Sequence, residues 1–167
     1  MRVTTRSKTQ SRRPRWGARC TGVGMAAAVA LGIAASPAAA AEVTPILVEG
    51  NPAQVCPDGS VALRVNPPTT PQTFHIVLPN GGTGDLTVTF TNGIKEVNFS
   101  IAQPNTLAVS QVTVKGGPNA NRYIYDTTTG FPTGIDSDSG LVSPINPGGQ
   151  LPDISHVDFC FIRDNYS

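Results

Sequence analysis

Beyond residue 42 the chain is dominated by a period-two alternation of apolar and polar residues. Leu86, Val88 and Phe90 alternate with Thr87 and Thr89, and Val97, Phe99 and Ile101 alternate with Asn98 and Ser100. This is strand spacing, because successive side chains of an extended backbone point to opposite faces. Between the two runs, Thr91-Asn92-Gly93 predicts a hairpin, since Asn-Gly readily adopts the positive φ of a tight turn. Further strands are predicted at 43–48, 60–65, 73–78, 107–115, 121–126 and 154–162. Pro- and Gly-rich connectors separate them: Asn66-Pro67-Pro68, Pro79-Asn80-Gly81-Gly82, Gly116-Gly117-Pro118 and Asn146-Pro147-Gly148-Gly149. In the last strand Val157, Phe159 and Phe161 face one way, and His156, Asp158 and Cys160 the other. No stretch of this region sustains a 3.6-residue apolar period. About eight short strands predict an all-β fold, a small two-sheet β-sandwich with a small β-barrel as the alternative. The longest irregular stretch, 127–150, is predicted to be a loop that carries function on a rigid scaffold.

The first 41 residues break this pattern and read as a signal peptide. Arg2, Arg6, Lys8, Arg12, Arg13, Arg15 and Arg19 form a basic start, an apolar run spans Val23 to Ala35, and a string of alanines follows Ser36-Pro37. Ala38-Ala39-Ala40 and Ala39-Ala40-Ala41 both satisfy the small-x-small rule, so cleavage falls after Ala40 or Ala41. The apolar run is shorter than the roughly 20 residues needed to span a bilayer, which disfavours a retained anchor. Ser11-Arg12-Arg13 resembles a twin-arginine export signal, although Arg15 and Trp16 stand where that signal has Phe-Leu, so Sec export is the first expectation. Residues 42–167 are then the exported domain, with no second transmembrane segment expected and an extracellular location implied.

Composition sharpens this division. The 167 residues carry a net charge of +1, but seven of the twelve basic residues precede position 20 and all eleven acidic ones lie at Glu42 or later. From residue 42 onward, five basic residues face eleven acidic ones, a net charge of −6. That balance leaves no footprint for nucleic-acid phosphates. Loss of the leader also removes Cys20 and Trp16, leaving Cys56 and Cys160, and two cysteines in an exported domain predict one disulfide.

Three phrases of the last fifty residues carry a resemblance: Val114-Lys115-Gly116-Gly117, Tyr123-Ile124-Tyr125, and Ser155-His156-Val157-Asp158-Phe159-Cys160. In this order they resemble a module of uncharacterised secreted or surface bacterial proteins, to which no enzyme activity is attached. The resemblance implies a β domain whose last strand carries the disulfide cysteine.

Several constellations offer chemistry. Asp138-Ser139-Gly140 resembles the nucleophile segment of chymotrypsin-like proteases, and His75, Asp85 and Ser139 follow that family's order. However, Ser137 replaces the Gly before the Asp, Leu141-Val142 replaces Gly-Pro, and about 126 residues is too few for two six-stranded barrels. Asp136 and Asp138, with Asp126 as a distant helper, form a candidate calcium set that is short of the six to eight oxygens the ion takes. His75, His156 and Asp158 are a minimal zinc set without short-range spacing. His156 is otherwise expected near the disulfide, hydrogen-bonded to a neighbouring backbone group. Tyr123 and Tyr125 share a strand face and are expected to be half-buried, not a sugar-stacking platform. No phosphate-cradling loop or other cofactor motif occurs, so no metal or cofactor is expected.

The first functional expectation is a non-enzymatic secreted or envelope-associated module, binding a cell-envelope polymer or surface protein through Phe131, Ile135 and Leu141. The alternative is a small secreted hydrolase using His75 or His156 with Asp or Ser partners.

Overall fold

Each alternating run becomes a strand, and one further strand forms where the alternation is broken. The computed structural model describes residues 41–57, 60–67 and 70–164. Among these, nine strands and no helix occur: β1 (Ile46–Val48), β2 (Val61–Val65), β3 (Gln72–Val77), β4 (Thr83–Thr91), β5 (Glu96–Ile101), β6 (Leu107–Gly116), β7 (Asn119–Ile124), β8 (Ser137–Val142) and β9 (Ile154–Arg163). They build two antiparallel sheets, β1-β7-β6-β9-β2 and β3-β4-β5-β8, that do not close into a barrel. The leader, residues 1–41 in the sequence reading, lies outside the described residues except for Ala41.

The predicted hairpin joins β4 to β5 through residues 92–95. Asn92, Gly93 and Ile94 all have positive φ, and the turn closes with the Lys95 N–H donating to the Thr91 carbonyl at 3.1 Å. The Ile94 carbonyl accepts the Ile154 N–H at 2.9 Å, which ties the turn of one sheet to the start of β9 in the other. A β-branched residue in this conformation is strained, and the contact with β9 helps hold it there.

The core lies between the sheets. Leu86, Val88, Val97, Phe99, Ile101 and Leu141 face Leu107, Val109, Val112, Val114, Val157, Phe159 and Phe161, all buried. Phe99 is the hub: its ring meets Phe159 edge-on at 5.5 Å and Tyr125 at 6.3 Å. Tyr123 and Tyr125 are 1% exposed, so both rings belong to this core and are not half-buried. A tyrosine is buried where its hydroxyl finds a partner, and here Tyr123 donates to the Val142 carbonyl and Tyr125 to Asp138.

Strand β6 is buried along its whole length, on both faces. Topology explains the outer covering. Strands β1 and β2 are consecutive in the chain but occupy opposite edges of their sheet, and the described residues 49–57 between them pass over one face of it. The Cys56–Cys160 disulfide, with a Cα separation of 5.6 Å, fixes the crossing on the outer face, where Cys160 points. Gln111 of β6 adds a hydrogen bond from its Nε2 to the Val55 carbonyl at 3.0 Å.

The strand missed by pattern is β8, sequence Ser-Asp-Ser-Gly-Leu-Val, within the stretch expected to be a loop. A β-bulge sits in its pairing with β5, between the Val97↔Leu141 and Phe99↔Asp138 positions. Gly140 adopts φ +70° there and donates its N–H to Asn98 Oδ1 at 2.7 Å. The extra residue shifts the side-chain phase, so Asp138 and Leu141, three apart, both point inward. Leu141 is therefore a core residue at 0% exposure, and its expected place in a contact loop is corrected.

Candidate functional site

Residues 126–137 carry the chain from one sheet to the other. The segment starts with a side-chain-capped turn in which Asp126 Oδ1 accepts the Thr128 N–H at 2.8 Å and the Thr128 hydroxyl at 2.6 Å. These bonds favour the ionised carboxylate and hold Asp126 below the usual carboxylate range. Phe131 follows and packs edge-on against Tyr125 at 5.9 Å. Ile135 then exchanges two backbone hydrogen bonds of 2.9 Å with Val109, along the half of β6 that β7 does not reach. Gly134 permits this approach, because a Cβ there would lie 2.7 Å from the Val109 carbonyl oxygen. The Asp136 carbonyl accepts the Ile101 N–H at 2.7 Å, and the chain enters the other sheet as β8.

Inside this corner Asp138 is 6% exposed. Its carboxylate accepts the Tyr125 hydroxyl at 2.7 Å, the Ser139 N–H at 2.6 Å, and the Glu42 N–H at 3.1 and 3.2 Å to its two oxygens. Burial, the largest cause, and the adjacent Asp138 push Tyr125 far above the ordinary phenol range, so its hydroxyl stays a proton donor. Val43 is buried in the core just beyond, so the segment from residue 41 is anchored on both sides of Glu42's neighbourhood.

Two open depressions flank Glu42. One, about 320 Å³, is bordered by Thr87, Thr89, Asn98, Ser100, Ser137 and Ser139 of β4, β5 and β8. The other, about 460 Å³, is bordered by Phe131, Thr133, Ile135, Asp136 and Asp164. They meet at Glu42 and Ser137. Together they carry four carboxylates, those of Glu42, Asp136, Asp138 and Asp164, and no cationic side chain among the described lining residues. The surface can accept hydrogen bonds from a cation or an amide and can cover an apolar group at Phe131 and Ile135.

The other sequence candidates separate in space. His75 and Asp85 pair across β3 and β4, Nδ1 to Oδ1 at 2.6 Å, on an exposed face. Ser139 lies on β8, at the far edge of that sheet and three strand spacings from β3, roughly 14 Å, so the three do not form a relay. The calcium set is not assembled: Asp126 serves its own turn, Asp136 Oδ2 accepts Gln103 Nε2 at 2.6 Å, and Asp138 is turned inward. His75 stands in one sheet, while His156 and Asp158 stand on β9 in the other. Among the described residues no group of three or more His, Cys, Asp or Glu side chains is placed to hold a metal ion.

Asp158, 3% exposed, is paired across β2 and β9 with Arg64, whose Nε and Nη2 donate at 2.7 and 2.8 Å. His156 sits beside this pair with Nε2 3.8 Å from Asp158, buried and without a hydrogen bond. Its Nδ1 is 3.4 Å from Ser155 Oγ, so the expected backbone partner is replaced by a side chain. Burial first, then the positive charges of Arg64 and Lys115, hold His156 below its ordinary titration range against the opposing pull of Asp158.

No protein-family model, no curated protein and no solved structure matches the chain. Functional inference therefore rests on the surface itself. Of its lining residues, the sequence singled out Phe131, Ile135, Asp136, Asp138 and Ser139, but not Glu42 or the hydroxyl row of β4 and β5. Those hydroxyls were legible as the outward positions of alternating strands. Glu42 was not legible, because it meets Asp138 across 96 residues. Among the described residues no helix is long and apolar enough to cross a membrane.

Proposed function

We propose that the chain is an exported, non-enzymatic contact module that binds a cationic, partly apolar segment of a cell-surface protein along the Glu42–Phe131 face. The observation that carries this reading is the junction of the two depressions at Glu42, acid-lined, hydroxyl-rich and bordered by Phe131 and Ile135. The net charge of −6 from residue 42 onward favours a basic partner and disfavours an anionic wall polymer. The disulfide and the leader-like first 41 residues are compatible with work outside the cell. The resemblance of the last fifty residues to a module of secreted or surface proteins points the same way.

The test is co-sedimentation of the oxidised domain with washed envelopes of the producing bacterium, before and after the envelopes are digested with trypsin and the enzyme is quenched. Saturable pelleting that digestion abolishes is expected. Pelleting that survives digestion would move the partner to a wall polymer, and a domain left wholly in the supernatant would contradict envelope contact.

A further inference from the structure

We propose that the mature N-terminus is Glu42 and that its α-ammonium is the counter-ion of the buried Asp138 carboxylate. The inference rests on the export reading, and it narrows the two cleavage positions to the bond after Ala41. In the uncut chain the Glu42 nitrogen is an amide with one proton, yet it lies within hydrogen-bond reach of both Asp138 oxygens, at 3.1 and 3.2 Å. A cut at Ala41–Glu42 adds water across that peptide bond. The carboxylate leaves with the leader, and the amine stays on Glu42, where it is protonated near neutral pH. An ammonium brings three donors and a positive charge to the place where one N–H is now shared.

The need for that charge is visible at Asp138 itself. Among the described residues its hydrogen-bond donors are the Tyr125 hydroxyl and the Ser139 and Glu42 N–H groups, all neutral, although Asp138 as a residue is only 6% exposed. A buried carboxylate without a counter-charge is costly. The cationic side chains beyond residue 42 stand elsewhere: Arg64, Lys115 and Arg122 on the five-stranded sheet, Lys95 in the β4–β5 turn, and Arg163 at the end of β9, where it donates to the Asn80 carbonyl. Cleavage after Ala40 would instead place the ammonium one residue away, on Ala41. Processing at Ala41 thus completes the corner on which the proposed contact face stands.

Two measurements test this independently. Expressed as the full chain and recovered outside the cell, the protein should show Glu42 as its first residue by intact mass. A first residue of Ala41 would overturn the assignment of the cut, and a retained leader would overturn the export reading on which it rests. Separately, oxidised chains beginning at Glu42 and at Ala38 are released from a cleavable fusion that leaves no extra residue. Both contain all nine strands and every buried core residue from Val43 onward. The Glu42 chain should melt higher by about 5 °C, and Asp138→Asn should erase that difference. Equal melting temperatures of the two unmutated chains would overturn the ion pair. That comparison does not require the Asp138→Asn chains to fold.

Discussion

Two carboxylates of this domain are buried to nearly the same degree, and their surroundings differ in kind. Asp158 lies on the outer face of the five-stranded sheet, where Arg64 meets it with two parallel hydrogen bonds. Asp138 lies at the corner between the sheets and, among the described residues, is met only by neutral donors, one of them the Glu42 nitrogen. In the first region the charge is balanced by a side chain of the same sheet, and the Cys56–Cys160 bond ties residues 49–57 to the same outer face. The second is open and lies between two depressions. The comparison teaches that burial alone does not mark a functional charge. What separates the two carboxylates is the source of the counter-ion: the Arg64 side chain for Asp158 and, on the proposal above, the chain terminus that processing creates for Asp138.

The largest effect belongs to the Asp158 side. The disulfide links residues 104 apart, and a loop of that length contributes about 4–5 kcal/mol in the chain-entropy model. Replacing both Cys56 and Cys160 by Ala should lower the melting temperature by roughly 15 °C or leave the domain unfolded, as read by calorimetry. Breaking the Asp158 pair comes next. Arg64→Met should cost about 2 kcal/mol in a urea titration, less than a fully buried pair because 40% of the Arg64 side chain is exposed. It should also raise the His156 titration followed by NMR, since a repelling charge is gone and Asp158 has lost its partner. A His156 titration that stays where it was would contradict this electrostatic account.

On the open side, Tyr125→Phe removes one donor from Asp138 and should cost about 1–2 kcal/mol by the same titration. The smallest effect is a pH dependence. His156 titrates lower in the folded chain than in the unfolded one, so between those two values the unfolded state binds more protons. Stability is therefore fully present above about pH 6.5 and declines as the pH falls toward the lowered folded value. Urea midpoints measured from pH 7 to 5 should show this decline, and His156→Gln should flatten it. Asp126 acts in a separate window, because its lowered titration costs stability only once the pH falls into the carboxylate range.

Much of the sandwich was legible because Leu86, Val88, Val97, Phe99, Val157 and Phe159 obey strict alternation against a single core. The disulfide followed from the count of cysteines after the leader. Strand β8 was hidden because Gly140 and its bulge break the period, so Leu141 read as a stray apolar loop residue although it lies in the core. The site was only half legible. Phe131, Ile135, Asp136 and Asp138 are near one another in sequence, but Glu42 and the outward hydroxyls of β4 and β5 join them only through tertiary packing.

The central claim is that the Glu42–Phe131 face makes the contact. Its most direct test is envelope co-sedimentation of the wild-type domain beside Phe131→Ser combined with Asp136→Asn, with melting temperatures measured in parallel. The wild type should pellet saturably, and the double variant should lose at least tenfold in affinity while staying folded at the assay temperature. Undiminished pelleting of a folded double variant would contradict the claim and move the contact to another face.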